Sequence, residues 1–337
     1  MFGLFRAFLA VMVVTQHLGG FKSLGSYAVF GFYILSGYLM TSIMHETYSY
    51  TVGGFKRYVA NRFLRIYPVY VVSLLATLLL FSVWGAAALT AYHGCIYWPL
   101  DVDDAARIVF LYFPNMECPR FTPPAWALTV EIFFYIAIGF GASRYKWLTQ
   151  IWFLVSVLYH LFAVVKNLEW QYKYFSIMAA SLPFSTGALI FHYKNKLISW
   201  FLFCKGRVGL SIELMFYCVF ILNWALGHYW GLSQGAFFYT SYIICAFFVI
   251  YLTGRPKVEA RLKSDKWLGG LSYPIYLFHY QVGFIVMVTM DSLSLSLGRQ
   301  SILLVLCTLI PLTFLAMVIN KFIERPIEKF RVVFRRN

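Results

Sequence analysis

FGLFRAFLAVMVVTQHL, residues 2–18, is an apolar run whose only ionisable groups are Arg6 and His17. A helix rises about 1.5 Å per residue, so a run of this length approaches the ~20 residues that cross ~30 Å of hydrocarbon. No Ala-x-Ala-like cleavage site follows it, and Thr15, Gln16 and His17 make its end polar. The segment therefore reads as a retained membrane helix and not as a signal peptide. Working outward, similar runs recur at about 24–44, 68–89, 125–142, 150–165, 174–191, 208–226, 235–252, 267–290 and 301–319. The fold class expected is an all-α polytopic membrane protein with about ten transmembrane helices. Barrel strands are excluded because the runs lack strand-length alternation.

Composition leads to the same class. Of 337 residues, 61% are apolar and 12% charged, too few polar groups to cover a water-soluble domain of this size. The 28 Lys and Arg against 13 Asp and Glu would suggest nucleic acid in a soluble protein, but here the basic residues fall between apolar runs. With the amino terminus in the cytoplasm, all but six of them lie in inside segments. The exceptions are Lys22, Arg107, Arg120, Lys166, Lys173 and Arg299. This bias predicts both termini in the cytoplasm, and an odd number of spans would destroy it. The inside stretch 55–67, FKRYVANRFLRIY, alternates basic and apolar residues as an interfacial helix does. Trp84, Tyr92, Tyr97, Trp98, Trp126, Trp170, Tyr229 and Trp230 fall near the outside ends, as an interfacial belt would.

The longest outside connection, 90–124, is expected to lie as a lid over an external entrance. Cys95 and Cys118 both sit in it, and an oxidising exterior would permit a disulfide between them, with two free thiols as the alternative. Cys204, Cys218, Cys245 and Cys307 lie within or beside apolar runs without any CxxC pair, which argues against a bound metal.

Ionisable groups inside spans cost a few kcal/mol each on insertion scales and so mark candidate sites. Arg6, His17, Glu131 and His279 stand out. Eleven helical steps of ~100° bring Arg6 and His17 within ~20° of one face, about 16 Å apart along the axis. Each has a bland reading: Arg6 as a snorkelling anchor, His17 and His279 as helix packing. Glu131, in WALTVEIFFY (126–135), needs a cation or hydrogen-bond donors, and His17 or an arginine would serve. Glu213 near Arg207 reads as interfacial.

Five patterns in order are similar to those of the acyltransferase family 3 membrane proteins, over nearly the whole chain. They are Arg6 to His17 on the first helix, FGFYILSGYL at 30–39, Arg62-Phe-Leu-Arg65-Ile-Tyr-Pro68, Trp126 to Tyr135, and GLSYPIYL at 270–277 with Glu324-Arg-Pro326. The resemblance implies a multi-pass protein of the bacterial cytoplasmic membrane that transfers an acyl group, acetyl above all, from cytoplasmic acyl-CoA. The acceptor would be a hydroxyl of an external or lipid-linked glycan such as a surface polysaccharide. It implies no metal and no nucleic acid, and a stand-alone form without the secreted hydrolase-like domain of some members.

In that reading Arg62 and Arg65, as fork-shaped donors, hold the coenzyme's phosphates, with Arg6 assisting. His17 is the general base or an acyl carrier, and Glu131 orients its ring. Trp126, Tyr135, Ser272, Tyr273 and His279 line the site. The competing reading is a multi-span transporter or flippase of a glycan or small molecule, for which few buried charges and an external lid would equally serve.

Overall fold

The computed structural model describes residues 2–114, 116–201, 209–255, 259–295 and 298–336. Cys204, Lys205, Arg207 and Lys257 lie outside these. The helices are α1 (Gly3–Gly19), α2 (Leu24–Ile43), α3 (Val52–Tyr92), α4 (Val102–Phe110), α5 (Trp126–Phe140) and α6 (Lys146–Val165). There follow α7 (Ile177–Phe201), α8 (Gly209–Tyr229), α9 (Ala236–Thr253), α10 (Glu259–Ser292), α11 (Ile302–Ile319) and α12 (Arg325–Arg336). Among the described residues nine helices are long and apolar enough to cross a membrane, and α1 is a shorter apolar helix. No strand occurs among them. The chain is an all-α polytopic membrane protein.

Helices α1, α2, α5 and α10 form the centre, around Leu9, Val13, Phe30, Ile34, Leu277 and Phe278, all fully buried or nearly so. Helices α6 and α11 lie at the periphery, where Ile151, Leu154, Leu158, Leu306, Ile310 and Phe314 are exposed to the surroundings. In water such faces would mark interfaces, whereas lipid solvates them at no cost.

Helix α1 is clamped at both ends. The Asp265 carboxylate on α10 accepts from the backbone N–H of Gly3 at 2.9 Å and of Leu4 at 3.1 Å, which caps the free donors of the first turn. At the other end Gln16 Oε1 accepts from the N–H of Gly25 at 2.8 Å and so caps α2. The Leu18 carbonyl accepts from Ser301 N–H.

Two sequence expectations change. The stretch 55–67 is not a separate interfacial element, because α3 runs unbroken through it and past Pro68. Proline inside a membrane helix is tolerated when neighbours satisfy the freed carbonyl. The helix breaks instead at Gly85, whose φ of 80° and ψ of 163° favour glycine.

Secondly, the 90–124 connection is not confined to one end of the bundle. It contains α4 and folds back along α3, where Tyr70 Oη donates to the Ile108 carbonyl at 2.6 Å and Tyr67 Oη to that of Phe110 at 2.7 Å. On α10, Tyr276 Oη donates to the Pro124 carbonyl and Tyr273 Oη to that of Ile66, each at 2.9 Å. These two tyrosines are about one turn apart, so the end of the connection reaches nearly to the level of Ile66. Irregular backbone survives at such depth because protein hydroxyls take up its carbonyls. The sequence could not show this, since tyrosines and threonines spaced along apolar runs look like ordinary packing residues.

The close approach of α2 and α7 depends on glycines. A Cβ at Gly37 would meet the Phe184 carbonyl, and one at Gly187 would meet that of Ile34. Gly187→Val is expected to destabilise the fold by about 1–3 kcal/mol through overpacking, seen as a lower melting temperature in detergent. An unchanged melting temperature would refute this close approach.

Candidate active site

One half of the site is built on α1 and α10, whose clamped register brings His17 opposite His279. His17 Nδ1 and His279 Nε2 are 2.8 Å apart, and His279 Nδ1 is 2.7 Å from the Tyr276 carbonyl. A carbonyl only accepts, so His279 Nδ1 carries a proton and donates it. The neutral ring then offers Nε2 as an acceptor, and His17 Nδ1–H donates to it. This relay assigns the tautomer of His17 and leaves its Nε2 unprotonated, as a base must be. His279 is fully buried, while Tyr280 stacks on His17 with ring centroids 5.2 Å apart.

The other half, toward the first turn of α1, centres on Glu131 and three arginines. Ser36 Oγ donates to Glu131 Oε1 at 2.9 Å and Tyr135 Oη to Oε2 at 3.0 Å. Hydrogen bonds to a charged group are worth about 1.5–3 kcal/mol each, enough to offset the few kcal/mol of its insertion cost. The Arg6 side chain has no hydrogen-bond partner among the described residues and lines the same space as Glu131. Arg62 donates to Asn61 Oδ1 at 2.9 Å, and its Nε is buried without a partner. Arg65 pairs with Glu324 at 3.0 Å and lies over the Tyr273 ring. The other oxygen of Glu324 accepts from Asn320 Nδ2 at 2.9 Å.

Four adjoining cavities with overlapping linings lie between and around the two halves. The first, about 720 Å³, is lined by His17, His93, Trp170 and residues of four connections, among them Lys22, Gln234 and Arg299. It shares Gln16, His17, His93, Phe175 and Tyr280 with a second cavity of about 200 Å³ that reaches Trp126 and Tyr276. Val29 and Tyr276 continue into a third, of about 60 Å³, which also holds Arg6, Glu131, Ser272 and Tyr273. Arg6, Phe32, Glu131 and Tyr273 lead on to a fourth, of about 100 Å³, with Arg62, Arg65 and Tyr135.

Every sequence-predicted site residue except His279 therefore lines these cavities, and His279 stands directly behind His17. Glu131 is not the partner of His17: its oxygens are held by Ser36 and Tyr135 in the other half, and His279 orients the imidazole. Ser272 Oγ donates to the Gly269 carbonyl of its own helix at 2.8 Å. Trp126 packs edge-on against Phe175. Glu213, expected beside Arg207, pairs with Arg255.

The sequence reading missed Ser36, His93 and Arg120 as site residues. Ser36 lay inside a quoted motif and was the one polar residue on an apolar face of α2, a signal that could have paired it with Glu131. Among the described residues no group of His, Cys, Asp or Glu has the arrangement to hold a metal ion.

Cys95 and Cys118 are disulfide-bonded, and Arg120 N–H donates to the Cys95 carbonyl at 2.8 Å, tying the returning strand of the connection to its start. The inward-folded connection carries His93, Arg120, Pro123 and Pro124 into the wall of the second cavity.

A family model described as an acyltransferase domain matches residues 2–321. The chain belongs to that family, acyltransferase family 3, whose motifs it carries in order. A curated protein of Bacillus subtilis (strain 168), named "Putative peptidoglycan O-acetyltransferase YrhL", is 25% identical over 363 aligned residues, which cover 98% of this chain and 55% of the relative. The chain thus spans about half the length of that curated relative. No solved structure matches it.

Substituting both Cys95 and Cys118 by Ser should lower stability by about 3 kcal/mol, the chain-entropy value for a loop of this length. The loss should be read as a fall in melting temperature that reducing agent reproduces in the parent protein; a parent indifferent to reductant would refute it.

Proposed function

We propose that this protein is a membrane O-acyltransferase that moves an acyl group, acetyl in the simplest case, from acyl-CoA in the cytoplasm to a glycan hydroxyl on the outer side. The observation that carries the reading is the row of adjoining cavities, with shared wall residues, between Arg62 and His17. The nucleotide end of coenzyme A is highly charged and stays at the basic inner mouth, where Arg62, Arg65 and the unpartnered Arg6 offer donors. The slender pantetheine arm reaches past Glu131 toward His17, so the coenzyme itself need not cross. The name of the Bacillus relative favours a cell-surface glycan as acceptor, in a bacterial cytoplasmic membrane with both termini inside.

In this mechanism His17 Nε2 takes the proton of the acceptor hydroxyl as its oxygen attacks the thioester carbonyl. The tetrahedral intermediate collapses, the C–S bond breaks, and the thiolate recovers the proton from His17. As the ring becomes cationic, its Nδ1–H bond to His279 strengthens, backed by the Tyr276 carbonyl. This places a neutral imidazole where a serine protease places a carboxylate. Glu131, Ser36 and Tyr135 form a polar wall around the donor arm beside Arg6.

His17→Ala should lower transfer of labelled acetyl from acetyl-CoA by about 10²–10⁴-fold, the span of general-base contributions, with membrane insertion intact. Full activity would remove His17 from the mechanism. His279→Gln should lower kcat by a smaller factor and leave the KM for acetyl-CoA alone. A changed KM with constant kcat would instead make it a donor-binding residue. Arg62→Ala should raise the KM for acetyl-CoA by about tenfold, the worth of one charge-assisted contact. Vesicles loaded with acetyl-CoA on one side report this directly, and an effect on acceptor binding alone would put Arg62 on the wrong side.

A further inference from the structure

The first cavity of the row is cationic, and its charges are not spent on the protein. Lys22 and Arg299 lie in its wall, and neither side chain has an ion-pair or hydrogen-bond partner among the described residues. Arg120 lines the adjoining cavity, its guanidinium donating to the Met116 and Glu117 carbonyls and to Cys95 Sγ, so it adds charge there but is held by the connection. No Asp or Glu lines either space. Three of the six basic residues that break the inside bias are thus gathered here.

Of the acidic residues nearby, Asp104 pairs with Arg107 at 2.7 Å, Asp101 caps α4 by accepting from Asp104 N–H at the same distance, Glu169 accepts from Gln171 Nε2 at 2.7 Å, and Glu117 stands near Arg120. That leaves Lys22 and Arg299 as the charges of the first cavity's wall, and a concave wall focuses their positive potential onto its contents. Gln16, Gln234, Gln300 and Trp170 supply neutral hydrogen-bonding and stacking groups beside these charges, as a carbohydrate needs.

We infer that the acceptor is anionic: it carries a carboxylate or phosphate that Lys22 and Arg299 hold while a hydroxyl of the same molecule lies at His17. This rests on the acyl-transfer reading above and names its substrate class. The anion has two sources, an acidic sugar or the phosphate of a lipid-linked glycan, and both present the same chemistry to these cations.

The test is equilibrium binding to the full-length protein in nanodiscs of zwitterionic lipid, without acyl-CoA, at about 0.15 M salt, where exposed charges are screened beyond ~8 Å. The probes are trigalacturonate against neutral galactotriose, and farnesyl phosphate against farnesol. At least one anionic probe should bind about tenfold tighter than its neutral partner, with the advantage shrinking as salt rises. Lys22→Gln combined with Arg299→Gln should bring the pair within about twofold.

An advantage for trigalacturonate alone assigns the anion to the sugar, and one for farnesyl phosphate alone assigns it to the lipid. Equal binding within both pairs, or a preference that survives the double substitution, overturns the inference. Because this readout needs no turnover, the two readings fail separately. Acetyl transfer without any charge preference would leave the enzyme standing and remove the anionic acceptor. A charge preference in a protein that transfers no acetyl would remove the enzyme.

Discussion

Hydrocarbon offers no water to an unpaired proton donor, so each polar group on a membrane helix must find its partner within the protein. The register of α1 follows from this constraint. Asp265 takes up the free N–H groups of its first turn, Gln16 reaches across to the start of α2, and the Leu18 carbonyl meets Ser301. With both ends fixed, α1 cannot slide or rotate against α10, and His17 meets His279 at hydrogen-bonding distance. The tautomer of His17 depends on that meeting, so the basicity of one nitrogen traces back to a helix cap about 20 Å away at 1.5 Å per residue.

The number and class of the helices were legible because hydropathy and charge act locally along the chain. Residues 2–18 and α1 differ by a residue at each end, and 235–252 and α9 likewise. The path of 90–124 was not legible. Its descent between α3 and α10 is fixed by single hydroxyls of Tyr67, Tyr70, Thr77 and Tyr276, which mark no period in the sequence.

The same division holds for the site. Arg6 and His17 share a face by helical arithmetic alone, and the structure sets them along one row of cavities. Which partner each charge has depends on distances between helices, and there the reading failed. Glu131 is a natural companion for a histidine, yet Ser36 and Tyr135 occupy its oxygens, while a second histidine does the orienting. A neutral ring in that position holds His17 without adding a net charge to the protein interior, where a second carboxylate would need partners of its own.

The smallest of the four cavities, about 60 Å³, mixes the apolar faces of Phe32, Tyr33, Leu128 and Tyr276 with the charged groups of Arg6 and Glu131 and the Ser272 hydroxyl. A guest at this waist must offer carbon to the rings and a polar edge to the guanidinium and the carboxylate. The constriction therefore sorts by amphipathy as well as by girth.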